Sequence, residues 1–231
     1  MEKNKSAPIV EVYKSIQGEG ISLGKPSIFV RFWGCNLRCK FDGEICDTPQ
    51  GIINPEKATK ITTNHLAAMI RLMDCPHIVF TGGEPSLYQM YILELMNKLK
   101  NYTCEIETNG TIPIIHALGH KVNLFNVSVK LSSSNQTNKA YDKLRINYDA
   151  LDSFPIDKSC FKFVVSSNKD MKEILDLHEK YKNIPVLLMP EGITRDKIIE
   201  HSERVVNLCM KYNFIYCPRE HIMIWDNKKG V

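Results

Sequence analysis

His77-Ile78-Val79-Phe80-Thr81-Gly82-Gly83-Glu84-Pro85-Ser86-Leu87-Tyr88-Gln89-Met90 carries a short apolar run into a glycine pair and then into a helical pattern. His77 to Phe80 has the length and composition of a buried strand. Gly82-Gly83 breaks it, and Pro85 stands at a first helical position, where a missing N–H costs nothing. Leu87, Met90, Tyr91, Leu95 and Leu99 follow at helical spacing and predict one apolar face. The stretch is thus a strand, a turn and a helix in sequence.

The same order recurs along the chain. Candidate strands lie at 9–13, 27–32, 77–80, 104–107, 124–129, 161–165, 186–188 and 214–216. Helical patterns lie between them: Asn64 caps one through Met73, and 170–181 and 196–212 repeat it. Repeated β-α units predict an α/β fold with parallel strands, right-handed crossovers and functional loops at the strand carboxyl ends. The segment 132–155 is polar and turn-rich, headed by Ser132-Ser133-Ser134-Asn135-Gln136. It reads either as a functional excursion or as a solvated connection.

Composition sets the frame. With 231 residues, 43% hydrophobic and 24% charged, the chain is an ordinary globular one, and it shows no repeat or linker to divide it. A single domain burying roughly 70% of its unfolded surface is expected at this length. Thirty Lys and Arg against 26 Asp and Glu give +4 without charge runs, too little to indicate nucleic acid or an anionic membrane. The polar start, Met1 to Ser6, has no apolar stretch behind it, so a cytoplasmic location is expected, where thiols stay reduced.

Eight cysteines are the unusual count. Cys35, Cys39 and Cys46 lie within twelve residues, just after the apolar strand and Gly34. In a reducing compartment such a group points to a soft metal centre. Zinc would need a fourth ligand near this loop, whereas a four-iron cluster held by three thiolates keeps one iron open. Cys75, Cys104, Cys160, Cys209 and Cys217 stand alone among apolar neighbours and read as core thiols.

The C-x3-C pair with its third cysteine, followed by Thr81-Gly82-Gly83-Glu84-Pro85, resembles a radical S-adenosylmethionine (SAM) enzyme. The resemblance implies a partial (β/α) barrel, with Cys35, Cys39 and Cys46 holding a [4Fe-4S] cluster whose open iron chelates SAM. It assigns SAM contacts to Thr81, Gly82, Gly83, Glu84, Asn109, Ser128 and Lys130. Two glycines permit close backbone approach, and Glu84 is read as an acceptor for the SAM ammonium. The usual second gap of two residues is six here, Lys40 to Ile45; its Asp42-Gly43 turn signal predicts a small loop that returns Cys46 to the cluster. Ile45 replaces the usual aromatic, and Ser128-Val129-Lys130 stands for Ser-Pro-Lys.

Flanking segments resemble one branch, the queuosine-pathway 7-carboxy-7-deazaguanine synthases. They include Ser15-Ile16-Gln17-Gly18-Glu19-Gly20, Cys46-Asp47-Thr48, Glu105 to Gly110, Phe161 to Val165 and His221 to Trp225. By this resemblance the core spans 1–231, with a substrate-binding segment at 9–34 and a pocket-closing segment at 214–231. The implied reaction contracts 6-carboxy-5,6,7,8-tetrahydropterin to 7-carboxy-7-deazaguanine with loss of ammonia. The implied substrate residues are Gln17, Gly18, Glu19, Arg31, Glu107, His221 and Val231, with Thr48 on Mg²⁺. Glu19 and Glu107 suit a donor-rich pterin edge, and Arg31 suits its carboxylate. The implied partners are an electron donor such as flavodoxin or ferredoxin and a second copy in a homodimer, with no nucleic acid and no membrane. A glycyl-radical activase would share the cysteines and the glycine turn, but gives no reason for Gln17-Gly18-Glu19-Gly20.

Overall fold

A computed structural model of the chain describes residues 4–41, 44–46, 48–53, 55–226, 228 and 230. The strands are β1 (Ser6–Ile16), β2 (Pro26–Phe32), β3 (Lys40–Phe41), β4 (Glu44–Ile45), β5 (Thr59–Thr62), β6 (His77–Gly82), β7 (Thr103–Thr108), β8 (Leu124–Val127), β9 (Ser159–Val165), β10 (Val186–Pro190) and β11 (Ile215–Tyr216). The helices are α1 (Thr63–Leu72), α2 (Gln89–Lys98), α3 (His116–Lys121), α4 (Lys139–Leu144), α5 (Tyr148–Leu151), α6 (Asp170–Lys180), α7 (Arg195–Tyr212) and α8 (Glu220–Trp225).

One open sheet has the order β11-β10-β9-β8-β7-β6-β2-β1-β5. From β2 to β11 every neighbouring pair is parallel, as the β-α repeats predict. The edge differs: β1 runs antiparallel to β2, and β5 antiparallel to β1. Because β1 and β2 are joined by a short turn rather than a helix, an antiparallel return is the available geometry. Thr59-Lys60-Ile61-Thr62 has one apolar residue and half its length exposed, so its strand state depends on pairing with Ser6 to Ile9.

Alternation along the strands gives the sheet two faces. Val30, Phe32, Phe80, Ile106, Phe125, Phe161, Phe163 and Leu188 face the helices and form the main core. The opposite face carries Arg31, Thr81, Glu107, Asn126 and Lys162, brought side by side by register: Arg31 lies opposite Thr81, Glu107 opposite Asn126 and Lys162 opposite Leu187. Polar side chains in such apolar strands are expensive to bury without partners, so this face marks an interior with chemistry.

Local expectations shift in two places. Thr62, rather than Asn64, caps α1 by accepting from the His65 N–H. Pro85–Tyr88 winds as a 3-10 turn before α2 begins. Its three-residue period offsets the stripe, so Leu87 and Met90 are exposed while Tyr91, Ile92, Leu95, Met96 and Leu99 are buried. His221 lies in α8. Segment 132–155 contains α4 and α5 and no strand.

Candidate active site

A cavity opens at the carboxyl ends of the parallel strands. Cys35, Cys39, Cys46, Thr48, Arg31, Glu19, Glu107, Lys162 and His221 line it, as do Gln17, Gly18, Thr81, Gly82, Gly83, Asn109, Ser128 and Lys130. Val231 and Asp47 lie outside the described residues.

The cysteine loop leaves β2 at Phe32. Gly34 has φ +100, and its N–H donates to Gly51 O (2.7 Å) while its own carbonyl accepts from Glu84 N–H (2.7 Å). Gly83 N–H donates to Phe32 O (3.0 Å). A Cβ on Gly82 would overlap the Phe32 backbone, and one on Gly83 the Gly34 carbonyl. The glycine pair therefore serves a close approach between two protein backbones, strand end against cysteine loop. The long gap is a hairpin, β3 against β4 with Lys40 opposite Ile45, which lets Cys46 N–H donate to Cys39 O (3.1 Å). The Asp42-Gly43 turn lies outside the described residues.

Each of the three sulfurs has an N–H donor beside it: Leu37 N for Cys35 (3.4 Å), Gln136 Nε2 for Cys39 (3.3 Å) and Thr48 N for Cys46 (3.4 Å). Asn109 Nδ2 adds a longer approach to Cys35 at 3.7 Å. Burial, then the Glu84 carboxylate, pushes the Cys35 thiol up to about 11, so metal binding must displace a proton. Three cavity-facing thiols with surrounding donors fit a cluster with one iron left open. Among the described residues no group of three or more His, Cys, Asp and Glu is disposed to hold a single metal ion. The five remaining cysteines are buried: Cys75, Cys104 and Cys209 in the main core, and Cys160 and Cys217 with Leu187 and Met189 in a second group.

Glu84 is placed differently from Thr81, Gly82 and Gly83, which line the cavity. It is fully buried and does not line the cavity. Its Oε1 accepts from Ser86 N (2.9 Å) and Thr108 Oγ1 (2.7 Å), and its Oε2 from Asn109 N (2.7 Å). The carboxylate caps the Pro85 turn and ties β6 to the end of β7. Asn109, so placed, donates to Asn36 Oδ1 (2.9 Å) and accepts from Thr111. Beyond β8, Ser128 accepts from Lys130 Nζ at 2.7 Å.

The other end of the cavity is a charge network. Glu19 Oε2 meets Lys162 Nζ at 2.5 Å, Glu19 Oε1 meets Arg219 Nε at 2.9 Å, and His221 Nε2 lies 4.0 Å from Oε1. Burial opposes ionisation of Glu19, but Lys162, Arg219 and His221 outweigh it and hold its carboxyl well below the usual range. Lys162 remains a cation because Glu19 and Glu107 offset its burial. Glu107 is raised by burial, with Lys162 opposing and Glu19 and Glu105 adding like charge. It accepts from Thr81 Oγ1 (2.7 Å) and Gln17 Nε2 (3.2 Å), and the same Gln17 amide bonds buried Glu105.

Arg31 Nε pairs with Glu11 at 2.7 Å and its Nη2 donates to Tyr13 Oη at 3.0 Å, which orients the guanidinium. The two chain ends meet here: Glu220 N–H donates to Gly18 O (2.9 Å), and a Cβ on Gly18 would overlap the His221 ring. Sequence reasoning passed over Lys162, Arg219, Glu11 and Tyr13. Lys162 had a visible signal, a cation within Cys160-Phe161-Lys162-Phe163-Val164.

The family model for the radical SAM superfamily matches residues 31–205. The chain is 34% identical to the 7-carboxy-7-deazaguanine synthase of Halobacterium salinarum, covering 95% of this chain and 91% of that one. It is 36% identical to the protein of the same name from Clostridium acetobutylicum, with 96% and 98% covered. The crystal structure of QueE from Escherichia coli shares the fold, with a TM-score of 0.72 at 22% identity over 94% of this chain and 95% of that one.

Proposed function

The chain belongs to the 7-carboxy-7-deazaguanine synthases of the radical SAM superfamily, and from that membership we propose how its site performs the conversion of 6-carboxy-5,6,7,8-tetrahydropterin to 7-carboxy-7-deazaguanine with loss of ammonia. The carrying observation is one cavity lined both by three cysteines and by a network of carboxylates and cations. When bound, the cluster and SAM supply the radical chemistry that takes hydrogen from the pterin; the chain's residues bind, orient and exclude water.

Cys35, Cys39 and Cys46 hold the cluster. Gly82, Gly83, Asn109, Ser128 and Lys130 line the SAM side, and the SAM amino group is left to the strand-end backbone and Thr81, since buried Glu84 already accepts three bonds within the fold and does not line the cavity. Gln17, Glu19 and Glu107 receive the aminopyrimidine edge. Glu19 comes to it as a pure acceptor, because its flanking cations keep it ionised. Arg31 takes the substrate carboxylate: Glu11 and Tyr13 hold its Nε and Nη2, and no bond to its Nη1 is made among the described residues. Thr48 supplies a hard oxygen to Mg²⁺ beside that carboxylate. His221, docked on Gly18, closes the pocket; Val231 remains a substrate residue by resemblance alone.

Three further elements belong to the same reading: a cytoplasmic setting, a flavodoxin or ferredoxin as electron donor, and a homodimer. Half-exposed Ile215 on the edge strand β11 and exposed Met210 and Ile199 on α7 support an apolar contact between copies. A glycyl-radical activase, by contrast, leaves the Gln17-Gly18-Glu19 turn and its docked His221 without a task. The substrate assignment is tested with a tetrahydropterin lacking the carboxylate. The wild type should prefer the carboxylated compound and Arg31→Met should lose that preference; a variant that keeps it sinks the Arg31 role.

A further inference from the structure

The polar head of segment 132–155 lies against the cysteine loop. Thr137 N–H donates to Arg38 O (3.1 Å), and Arg38 stands over the Tyr141 ring at 5.4 Å. Asn135 adopts a left-handed conformation (φ 39), the turn that carries the chain on to Gln136 at the Cys39 sulfur. Three contacts fix the amide of Gln136. Its Oε1 accepts from Arg38 N–H (3.1 Å), while Nε2 donates to Ser134 Oγ (2.9 Å) and to Cys39 Sγ (3.3 Å). Ser134 is itself buried and donates to Leu131 O (2.7 Å). A flipped amide would set its nitrogen against the Arg38 N–H and its oxygen against the sulfur, so only one orientation satisfies both neighbours.

We propose that Gln136 is a positioning residue for the cluster, donating an N–H···S hydrogen bond to the Cys39 thiolate that raises the cluster's reduction potential. This rests on the assignment of Cys39 as a cluster ligand. Reduction adds negative charge, part of which resides on the ligand sulfurs. A fixed donor aimed at one of them favours the reduced state, as hydrogen bonds to cluster sulfurs do generally. The bonds to Arg38 N–H and Ser134 Oγ hold the amide in this orientation independently of its contact with the sulfur.

The experiment is a redox titration of the anaerobically reconstituted full chain, following the reduced-cluster electron paramagnetic resonance signal, with iron and sulfide measured in each sample. Gln136→Met, which keeps length and removes the donor, should lower the midpoint. At the wild-type midpoint its reduced-to-oxidised ratio should fall about three- to tenfold, the larger figure corresponding to about 59 mV for one electron. Ser134→Ala frees the amide while leaving its bond to Arg38, and should give a smaller fall. A wild-type midpoint in Gln136→Met at full cluster content overturns the proposal. If that variant loses its cluster, Ser134→Ala decides: an unchanged midpoint there overturns it equally. Cys39→Ala separates the two claims, since full cluster content in that variant would refute the ligand assignment itself.

Discussion

Replacing Lys162 with methionine is the most severe test of the charge network. The substitution keeps approximate volume and removes the cation between Glu19 and Glu107, leaving buried carboxylates with less compensation. Removing one partner of a buried pair costs about 3–5 kcal/mol, because the remaining charge is left without its counter-ion. At roughly 2–4 °C per kcal/mol for a domain of this size, the midpoint should fall by about 6–20 °C at pH 8. The penalty carries a pH signature. Glu107 has a raised carboxyl already, and losing Lys162 raises it further, since that cation is its main opposing influence. Above this value the native state carries an unfavourable charge; below it the native state binds a proton that the unfolded chain releases, so stability returns as pH falls. Wild-type Glu19, in contrast, is depressed, and its contribution persists down past the ordinary carboxylate range. The gap between wild type and Lys162→Met should therefore narrow from pH 8 to pH 5, as read by calorimetry on the chain, and Lys162→Arg should recover part of it. A loss under 1 °C at pH 8, or a gap constant with pH, would refute the reasoning.

Other outcomes follow from the same geometry. Glu84→Ala strands three buried donors and should cost about 3–9 kcal/mol by urea titration, given about 1–3 kcal/mol for each unmet group; a neutral result would return Glu84 to a ligand role. Gly83→Ala forces β6 away from the Gly34 carbonyl, so it should lower iron content after reconstitution, and a full complement would contradict the interlock. Cys35→Ala should abolish the cluster while Cys104→Ala, in the main core, keeps it; iron and sulfide analysis distinguishes them. Thr48→Ala should retain the cluster and change the Mg²⁺ dependence of turnover, and an unchanged dependence rejects its proposed contact.

Much of this architecture was readable because the inner strands are rich in apolar residues: 28–30, 78–80 and 186–189 are unbroken apolar runs, while 104–107 and 161–165 alternate apolar residues with Glu105, Glu107 and Lys162. The cysteine loop and glycine turn were local motifs, legible for the same reason. What escaped depends on partners distant in sequence. Arg219 meets Glu19 from 200 positions away, and nothing in Cys217-Pro218-Arg219 announces it. Glu84 looked available because its partners Thr108 and Asn109 come from the next strand, 24 and 25 residues on. The strand β5 exists only through its pairing with β1. Lys162 was the avoidable omission: a cation inside an otherwise apolar strand is expensive to bury unpaired, and that signal is visible in 160–164.

The central claim is that this cavity joins radical SAM chemistry to a carboxypterin. Anaerobically reconstituted protein, given SAM, dithionite, Mg²⁺ and 6-carboxy-5,6,7,8-tetrahydropterin, should form 7-carboxy-7-deazaguanine and ammonia in equal amounts. Reductive cleavage of SAM without any deazaguanine product would contradict the account while leaving superfamily membership intact.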